Sequence, residues 1–168
     1  MSRRPDSRIS LLLDLLDEAF DHKAWHGPNL RGSLRLVDPS LASLRPDPNR
    51  KCIWEQVLHA TYWKYAIRRR LLGEKRGSFP LKGSNWFLRP DPNIHRDDWN
   101  EAWKADLALL DSIHESLRNA IAEFPAEKLD TVVQGSQWTF AKTICGAALH
   151  DVYHAGQIQL LKKLVSSI

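Results

Sequence analysis

Apolar residues recur every three or four positions along four long stretches of the chain, which is the spacing of an amphipathic helix. The first stretch runs from about Ser7 to Trp25 and is interrupted by the sequence HGPN, because glycine and proline do not readily extend a helix. Its apolar positions are Ile9, Leu12, Leu13, Leu16 and Phe20. The pattern predicts a first long helix.

The second long helix is predicted from near Lys51 to about Leu72, where Gly73 offers a C-terminal stop. Between the first and second helices lie two less regular segments. LRGSLRLV is predicted to form a short helix, and DPSLASLRPDPN a loop with about one helical turn.

The third helix is expected to start after Asp97 or Asp98, either of which is a good N-terminal cap. One side of it is apolar, through Trp103, Leu110, Ile113, Leu117 and Phe124. The segment FPAEKLDTVVQGSQ then ends that helix and leads to the last one, predicted from about Thr139 to Ser166.

A long connection, GEKRGSFPLKGSNWFLRPDPNIHRDD, separates the second and third helices and is rich in glycine, proline and asparagine. A loop of this length in a compact bundle crosses over or covers a functional end. The sequence contains no β-hairpin signal, internal repeat or low-complexity tail. We therefore predict an all-α fold, a four-helix bundle with one long crossover, that forms a single domain over residues 1–168.

Composition supports a globular domain, with 43% hydrophobic and 26% charged residues in 168. No apolar run approaches the ~18 residues of a membrane span, and acidic residues break up LLLDLLDEAF, so neither a membrane protein nor a signal peptide is expected. Cys52 and Cys145 form no CxxC pair, which favours reduced thiols and a cytoplasmic location.

The formal net charge of +4 is modest, and the densest basic cluster is RRRLLGEKR, from Arg68 to Arg76. Such clusters are usually solvated helix ends, where cations also suit the helix dipole. Basic charge alone is a non-specific signal. We therefore expect no nucleic-acid partner.

Two histidines, His150 and His154, stand four residues apart in the last helix. At about 100° per residue they fall on its apolar stripe, between Ala147 and Leu161. Both imidazoles are therefore expected to point into the bundle, where buried polar groups need partners. One solution is a shared metal ion, and the alternative is a pair of core histidines hydrogen-bonded to other protein groups.

A metal site needs a further ligand from a facing helix, and His59 in IWEQVLHATYWKY is the best candidate. It lies well inside the second helix, although that helix is apolar nearly all round. If His59 points inward, Glu55 and Tyr62 come towards the same interior. Three neutral imidazoles would leave a divalent ion with an open position, where it lowers the pKa of a bound water or ionises a thiol.

Carboxylate and amide groups near these histidines are candidates for supporting roles. Glu55, one turn before His59, is the candidate general base or the acceptor for the free His59 N–H, unless it is a surface glutamate near the helix start. Asp151 and Gln157 flank the apolar stripe of the last helix and are candidate outer-shell partners of the metal ligands.

Two tryptophans and one further histidine are candidates for substrate binding. Trp63 lies near His59 on the helical wheel, and Trp86 in KGSNWF lines the pocket mouth if the crossover folds over the metal end. His22 is expected to be a surface residue at the end of the first helix. His26 either is a surface residue too or borders the site.

The two remaining histidines are weaker candidates. His95 is expected to be exposed in a loop, and His114 to flank the apolar stripe of the third helix. A di-iron site would need Glu-x-x-His on two helices. The nearest match, DSIH, points sideways, so a di-iron site is rejected.

The residues quoted above resemble the DinB-like family of four-helix bundles. The resemblance rests on IWEQVLHATYW and HDVYHAGQI, and on AWHGPNLRGSL and GEKRGSFPLKGSNWF. It implies an up-down-down-up bundle, a homodimer, and one divalent ion, nickel, zinc or iron, bound by His59, His150 and His154. It also implies chemistry with a low-molecular-weight thiol, since family members of known activity are mainly thiol-dependent transferases or isomerases.

Two hypotheses of different classes follow. The first is a metal-dependent enzyme that acts on a small molecule by hydrolysis or thiol transfer. The second is a non-catalytic bundle that binds a metal or a small ligand, as a sensor or dimerisation module.

Overall fold

The computed structural model of the protein describes residues 6–165, which form six α-helices joined by loops. The helices are α1 (Ser7–Phe20), α2 (Leu30–Ser33), α3 (Pro39–Ser43), α4 (Ile53–Leu71), α5 (Trp99–Ala122) and α6 (Phe140–Val165). Short 3₁₀ turns at Arg96–Asp98 and Ala126–Lys128 flank α5. Within the described residues the only extended pairing is one bridge between Val132 and Thr139, so the predicted all-α class is confirmed.

The four long helices pack in a ring, because α1 and α4 each contact both α5 and α6. The two short helices close one end, with α2 against α6 and α3 against α4 and α5. The order of helix directions, up-down-down-up, stays a prediction. None of the helices in residues 6–165 combines the length and apolarity needed to cross a bilayer.

The helix ends agree closely with the sequence pattern, except in α1. This helix ends at Phe20 rather than Trp25, because the backbone N–H groups of Asp21 and His22 both bond to the Asp17 carbonyl and close the last turn. α4 ends one residue before Leu72, and Gly73 adopts a φ of 68°, as a helix stop requires. The predicted end of the last helix at Ser166 lies outside the described residues.

Two apolar clusters fill the two ends of the bundle. One is centred on the start of α4 and the end of α6, through Trp54, Val57 and Ile158. The other joins α1 to the end of α4 and the start of α6, through Leu16 and Ile144. The middle of α4, α5 and α6 lies between these clusters and carries buried polar residues instead, and this layer holds the candidate site.

The crossover between α4 and α5 packs against α4 rather than extending into solvent. Ser78 donates to the Tyr65 hydroxyl through its backbone N–H and its Oγ, both at 3.2 Å. Further on, the Arg89 guanidinium donates to Asp106 of α5 at 2.7 Å. Since these contacts fix both ends of the crossover, its middle is held over the centre of α4.

A candidate three-histidine metal centre

The three histidines predicted from the sequence come together in the structure. His59 projects from α4, and His150 and His154 project from successive turns of α6, with one ligand nitrogen from each lying within 4.8 Å of the others. The Nε2 atoms of His150 and His154 are 3.0 Å apart. The His59 ring centroid lies 5.2 Å from that of His150 and 4.9 Å from that of His154.

These imidazoles are neutral at physiological pH because the fold withdraws them from water. Burial, together with the nearby His59 and Lys64, lowers the pKa of His150 to about 4. Burial, followed by the two neighbouring histidines, lowers the pKa of His154 to about 3. Burial also lowers the pKa of His59. Neutral imidazoles keep the lone pairs that a metal ligand needs.

The geometry fits a single divalent ion. Nitrogens that each lie ~2.0–2.1 Å from one tetrahedral ion are about 3.4 Å apart, so small side-chain rotations would bring these three into place. If the facing Nε2 atoms of His150 and His154 both carried lone pairs, those lone pairs would repel each other. A proton or a cation between the two atoms removes this repulsion. The Nδ1 atom of His154 is also buried without a hydrogen-bond partner among the described residues.

The crossover fixes the orientation of His59. A carbonyl oxygen only accepts, so the His59 Nδ1–H must donate to the backbone oxygen of Asn85, 2.8 Å away, which leaves the lone pair on Nε2. Trp86 stacks on the same imidazole, with centroids 3.9 Å apart and planes 13° from parallel. The Trp63 indole N–H donates to the Asn85 side-chain oxygen at 2.9 Å. The contact of Asn85 with His59 was not predicted from the sequence. In the structure Asn85 has a positive φ of 65°, which is uncommon for a residue other than glycine.

The role predicted for Glu55 at His59 is wrong, and so is the alternative of a surface glutamate. Its side chain is fully buried, and its carboxylate accepts from Arg45 at 2.6 Å and from the backbone N–H of Cys52 at 3.1 Å. Burial acts to raise its pKa, but Arg45 and the Cys52 N–H outweigh that effect and lower it. Because α4 begins at Ile53, Glu55 lies in the first turn and accepts the backbone N–H of the N-cap residue, Cys52, as in a capping box.

Asp151 also has a different partner from the metal-ligating histidine that was predicted. It is fully buried and pairs with Lys64 of α4, which is only 2% exposed and also contacts Nδ1 of His114 at 3.1 Å. Burial lowers the pKa of His114 to about 2, with Lys64 adding to the effect. His114 is therefore a neutral acceptor in the bundle interior, stacked on Phe20, and the expectation that it would lie beside the apolar stripe is wrong.

Gln157 lies beside the three histidines, and its predicted support of a metal ligand stays a prediction. It lines the same cavity as the three histidines, and its contact with His154 acts to raise the pKa of that imidazole. Its Oε1 atom is buried and, like Nδ1 of His154, has no partner among the described residues. A hydrogen bond between these two atoms would satisfy both and leave the His154 lone pair on Nε2.

The three candidates for substrate binding lie in different surroundings. Trp86 lines the cavity that contains the histidines. Trp63 does not line it but borders the site from outside, with its ring centroid 6.4 Å from that of His59 and 6.5 Å from that of His150. His26 is exposed and outside the cavity lining, because α1 ends before it, so its predicted place at the site is wrong.

The cavity has a volume of about 780 Å³ and opens between α6 and the segment before α4. One wall is apolar, formed by Tyr153, Leu160, Leu161 and Leu164, and the opposite rim carries Asp47, Arg50 and Lys51. Gln56 also lines it, with a buried Oε1 atom that has no partner in residues 6–165. Gln56 was not predicted from the sequence, because glutamine in a helix is usually exposed.

The bundle thus presents three imidazoles from two helices at the side of a cavity, in an arrangement that could hold one metal ion. The family model of the DinB superfamily matches residues 23–158, a span that includes all three histidines. The chain belongs to the DinB superfamily, which confirms the resemblance seen in its sequence. Neither the curated proteins nor the solved structures gave a match.

Proposed function

We propose that this protein is a metal-dependent enzyme that transfers a thiol to a small molecule. His59, His150 and His154 would hold one divalent transition metal, nickel, zinc or iron, since imidazole suits all three. The observation that carries the proposal is the convergence of three neutral imidazoles on the wall of a cavity of about 780 Å³. When bound, an ion with this ligand set supplies Lewis acidity and ionises a coordinating thiol.

Thiol transfer is favoured over hydrolysis because, within residues 6–165, no free carboxylate base lies beside the histidines. Among the described residues that line the cavity, the single carboxylate belongs to Asp47, which accepts from the backbone N–H of Asn49 in the loop before α4. Glu55 is occupied by Arg45 and Cys52. A thiol ionised by the metal needs no separate base, whereas activation of water is most efficient with one.

The cavity suits a small substrate with an apolar part and a polar end. Leu160 and Leu164 offer an apolar wall, and the unpartnered Gln56 oxygen offers an acceptor. Trp86 would orient a planar group beside His59 by stacking. These residues would position the substrate and exclude water from the histidine face.

The proposal includes a cytoplasmic homodimer. Both cysteines are free, which suits a reducing compartment. Exposed apolar side chains outside the cavity lining support self-association, namely Leu149 (65%) on α6 and Trp138 (45%) just before that helix. Analytical ultracentrifugation of Leu149→Lys, with Leu11→Lys on α1 (58% exposed) as the control, tests this, and dissociation by the first change alone is expected.

The activity is tested with metal-loaded protein and a panel of low-molecular-weight thiols paired with electrophilic acceptors, run beside a panel of esters and amides. Thiol consumption that depends on His154 and on added metal is the expected result. Turnover of esters without thiol would favour hydrolysis. Metal binding with no turnover in either panel would favour the non-catalytic sensor and contradict the enzyme proposal.

A further inference from the structure

A second cavity, of about 590 Å³, lies between the C-terminal half of α4 and the crossover. We refer to it as the basic cavity. Four cationic side chains line it, Arg69, Arg70, Arg76 and Lys82, together with the aromatic residues Tyr62, Trp63, Tyr65 and Phe79. The proposed thiol transfer assigns no role to this cavity.

The part of the chain that the structure describes does not balance the positive charge of the basic cavity. None of the described residues that line it is a carboxylate, and the nearby Glu74 side chain is bonded to Arg68 at 2.6 Å. Within residues 6–165, Arg70, Arg76 and Lys82 form no ion pair. Like charges gathered in a concave site repel one another and attract an anion from solution.

The walls of the basic cavity are held in place before any ligand arrives. At one end Ser78 is bonded to the Tyr65 hydroxyl, and at the other Asn85 accepts from the Trp63 indole. Between them Phe79 packs edge-on against Tyr62, with centroids 5.3 Å apart. The segment 78–85, which carries Lys82, is therefore anchored to α4 at both ends, and Arg76 lies two residues before the first anchor. This anchoring limits the ordering that ligand binding requires.

We propose that the basic cavity binds the oligophosphate group of a small molecule. Guanidinium groups recognise phosphate oxygens through paired, charge-assisted hydrogen bonds, and several unpaired cations around one concavity suit several adjacent negative charges. The aromatic wall offers faces to a ring attached to the phosphates. A concavity of about 590 Å³ suits a small ligand better than a nucleic acid, which binds grooves and extended surfaces.

Isothermal titration of the metal-free protein with tripolyphosphate and with ATP, both without magnesium, tests the proposal independently of the metal centre. Wild-type protein is expected to bind both with saturable, salt-sensitive affinity. Arg76→Gln and Lys82→Gln are each expected to weaken binding about tenfold, as loss of one charge-assisted contact does. If ATP binds more tightly than tripolyphosphate, the adenine ring contacts the aromatic wall. If the two affinities are equal, the cavity binds the phosphates alone. Both results support the proposal.

The matched control is Lys75→Gln, which removes the same charge from the neighbour of Arg76 but lies outside the cavity lining. It is expected to change the affinity less than about twofold. The proposal is overturned if wild-type protein binds neither probe at about 1 mM, or if Lys75→Gln weakens binding as much as Arg76→Gln. Preferential binding of single-stranded oligothymidylate, weakened equally by all three changes, would also overturn it, because a charged surface would then be the site. Far-UV circular dichroism of each variant establishes that the fold is retained.

Discussion

Replacement of Lys64 by methionine removes one charge from an ion pair that is almost wholly buried. Lys64 is 2% and Asp151 0% exposed, so the variant leaves a carboxylate in the bundle without its cation. Loss of one partner of a buried pair costs about 3–5 kcal/mol. At about 2–4 °C per kcal/mol for a domain of this size, the melting temperature should fall by about 6–20 °C.

Urea denaturation followed by circular dichroism measures this loss, and a double variant separates charge from packing. Lys64→Met with Asp151→Leu removes both charges and should recover most of the stability, apart from ~1 kcal/mol for the unpaired His114 acceptor. Lys104→Met is the surface control, since Lys104 is 70% exposed in its pair with Glu101, and should change the free energy of unfolding by less than ~0.5 kcal/mol.

The pH dependence of the single variant gives a second check. Burial raises the pKa of Asp151 to about 6 even beside Lys64, and without Lys64 it should rise further. A group with a raised folded-state pKa stabilises the protein at low pH and loses that contribution as pH rises through the folded pKa. The loss in free energy of unfolding caused by Lys64→Met should therefore become smaller as the pH is lowered from 7 to 5. If the free energy of unfolding of Lys64→Met lies within ~1 kcal/mol of the wild-type value at pH 7, this account of the buried pair is refuted.

Three further predictions concern the histidines, the thiols and Glu55. Burial lowers the pKa of His150 to about 4 and that of His154 to about 3, so metal-free protein should lose stability as pH falls below the unfolded value of about 6.5; equal urea midpoints at pH 7 and pH 5 would contradict this. Burial raises the pKa of Cys52 to about 11, so Ellman's reagent should label the partly exposed Cys145 in native protein and Cys52 only after denaturation; rapid labelling of both would be the opposite result. Glu55→Gln should lower the free energy of unfolding by about 1–3 kcal/mol, because Glu55 caps α4, while metal content stays at the wild-type level; loss of metal in a folded variant would restore the role predicted from the sequence.

The sequence was most informative where a periodic pattern and a chemical type coincide. Apolar spacing located the long helices, because burying one face of each helix is what stabilises the bundle. His150 and His154 stand out on that reasoning, since two polar residues on a buried stripe demand an explanation. His59 needed the additional argument that a facing helix must supply another ligand.

Contacts between distant parts of the chain could not be predicted from the sequence. Asn85 holds His59 through a backbone carbonyl, and a carbonyl is common to every residue, so nothing in the side-chain pattern marks it. Glu55 was misassigned because the same position suits a helix cap and a histidine partner, and only the exact start of α4 decides between them. Lys64 escaped notice because lysine is usually exposed, and its partner Asp151 lies on another helix.

The most direct test of the three-histidine site is the metal content of protein purified without chelators and then loaded with nickel, zinc or iron. Elemental analysis is expected to give about one equivalent per chain for wild type. His154→Ala should lose most of it, and the exposed control His95→Ala should keep it. Less than about 0.1 equivalent in wild type after loading, or full retention by a folded His154→Ala, would contradict the shared metal site.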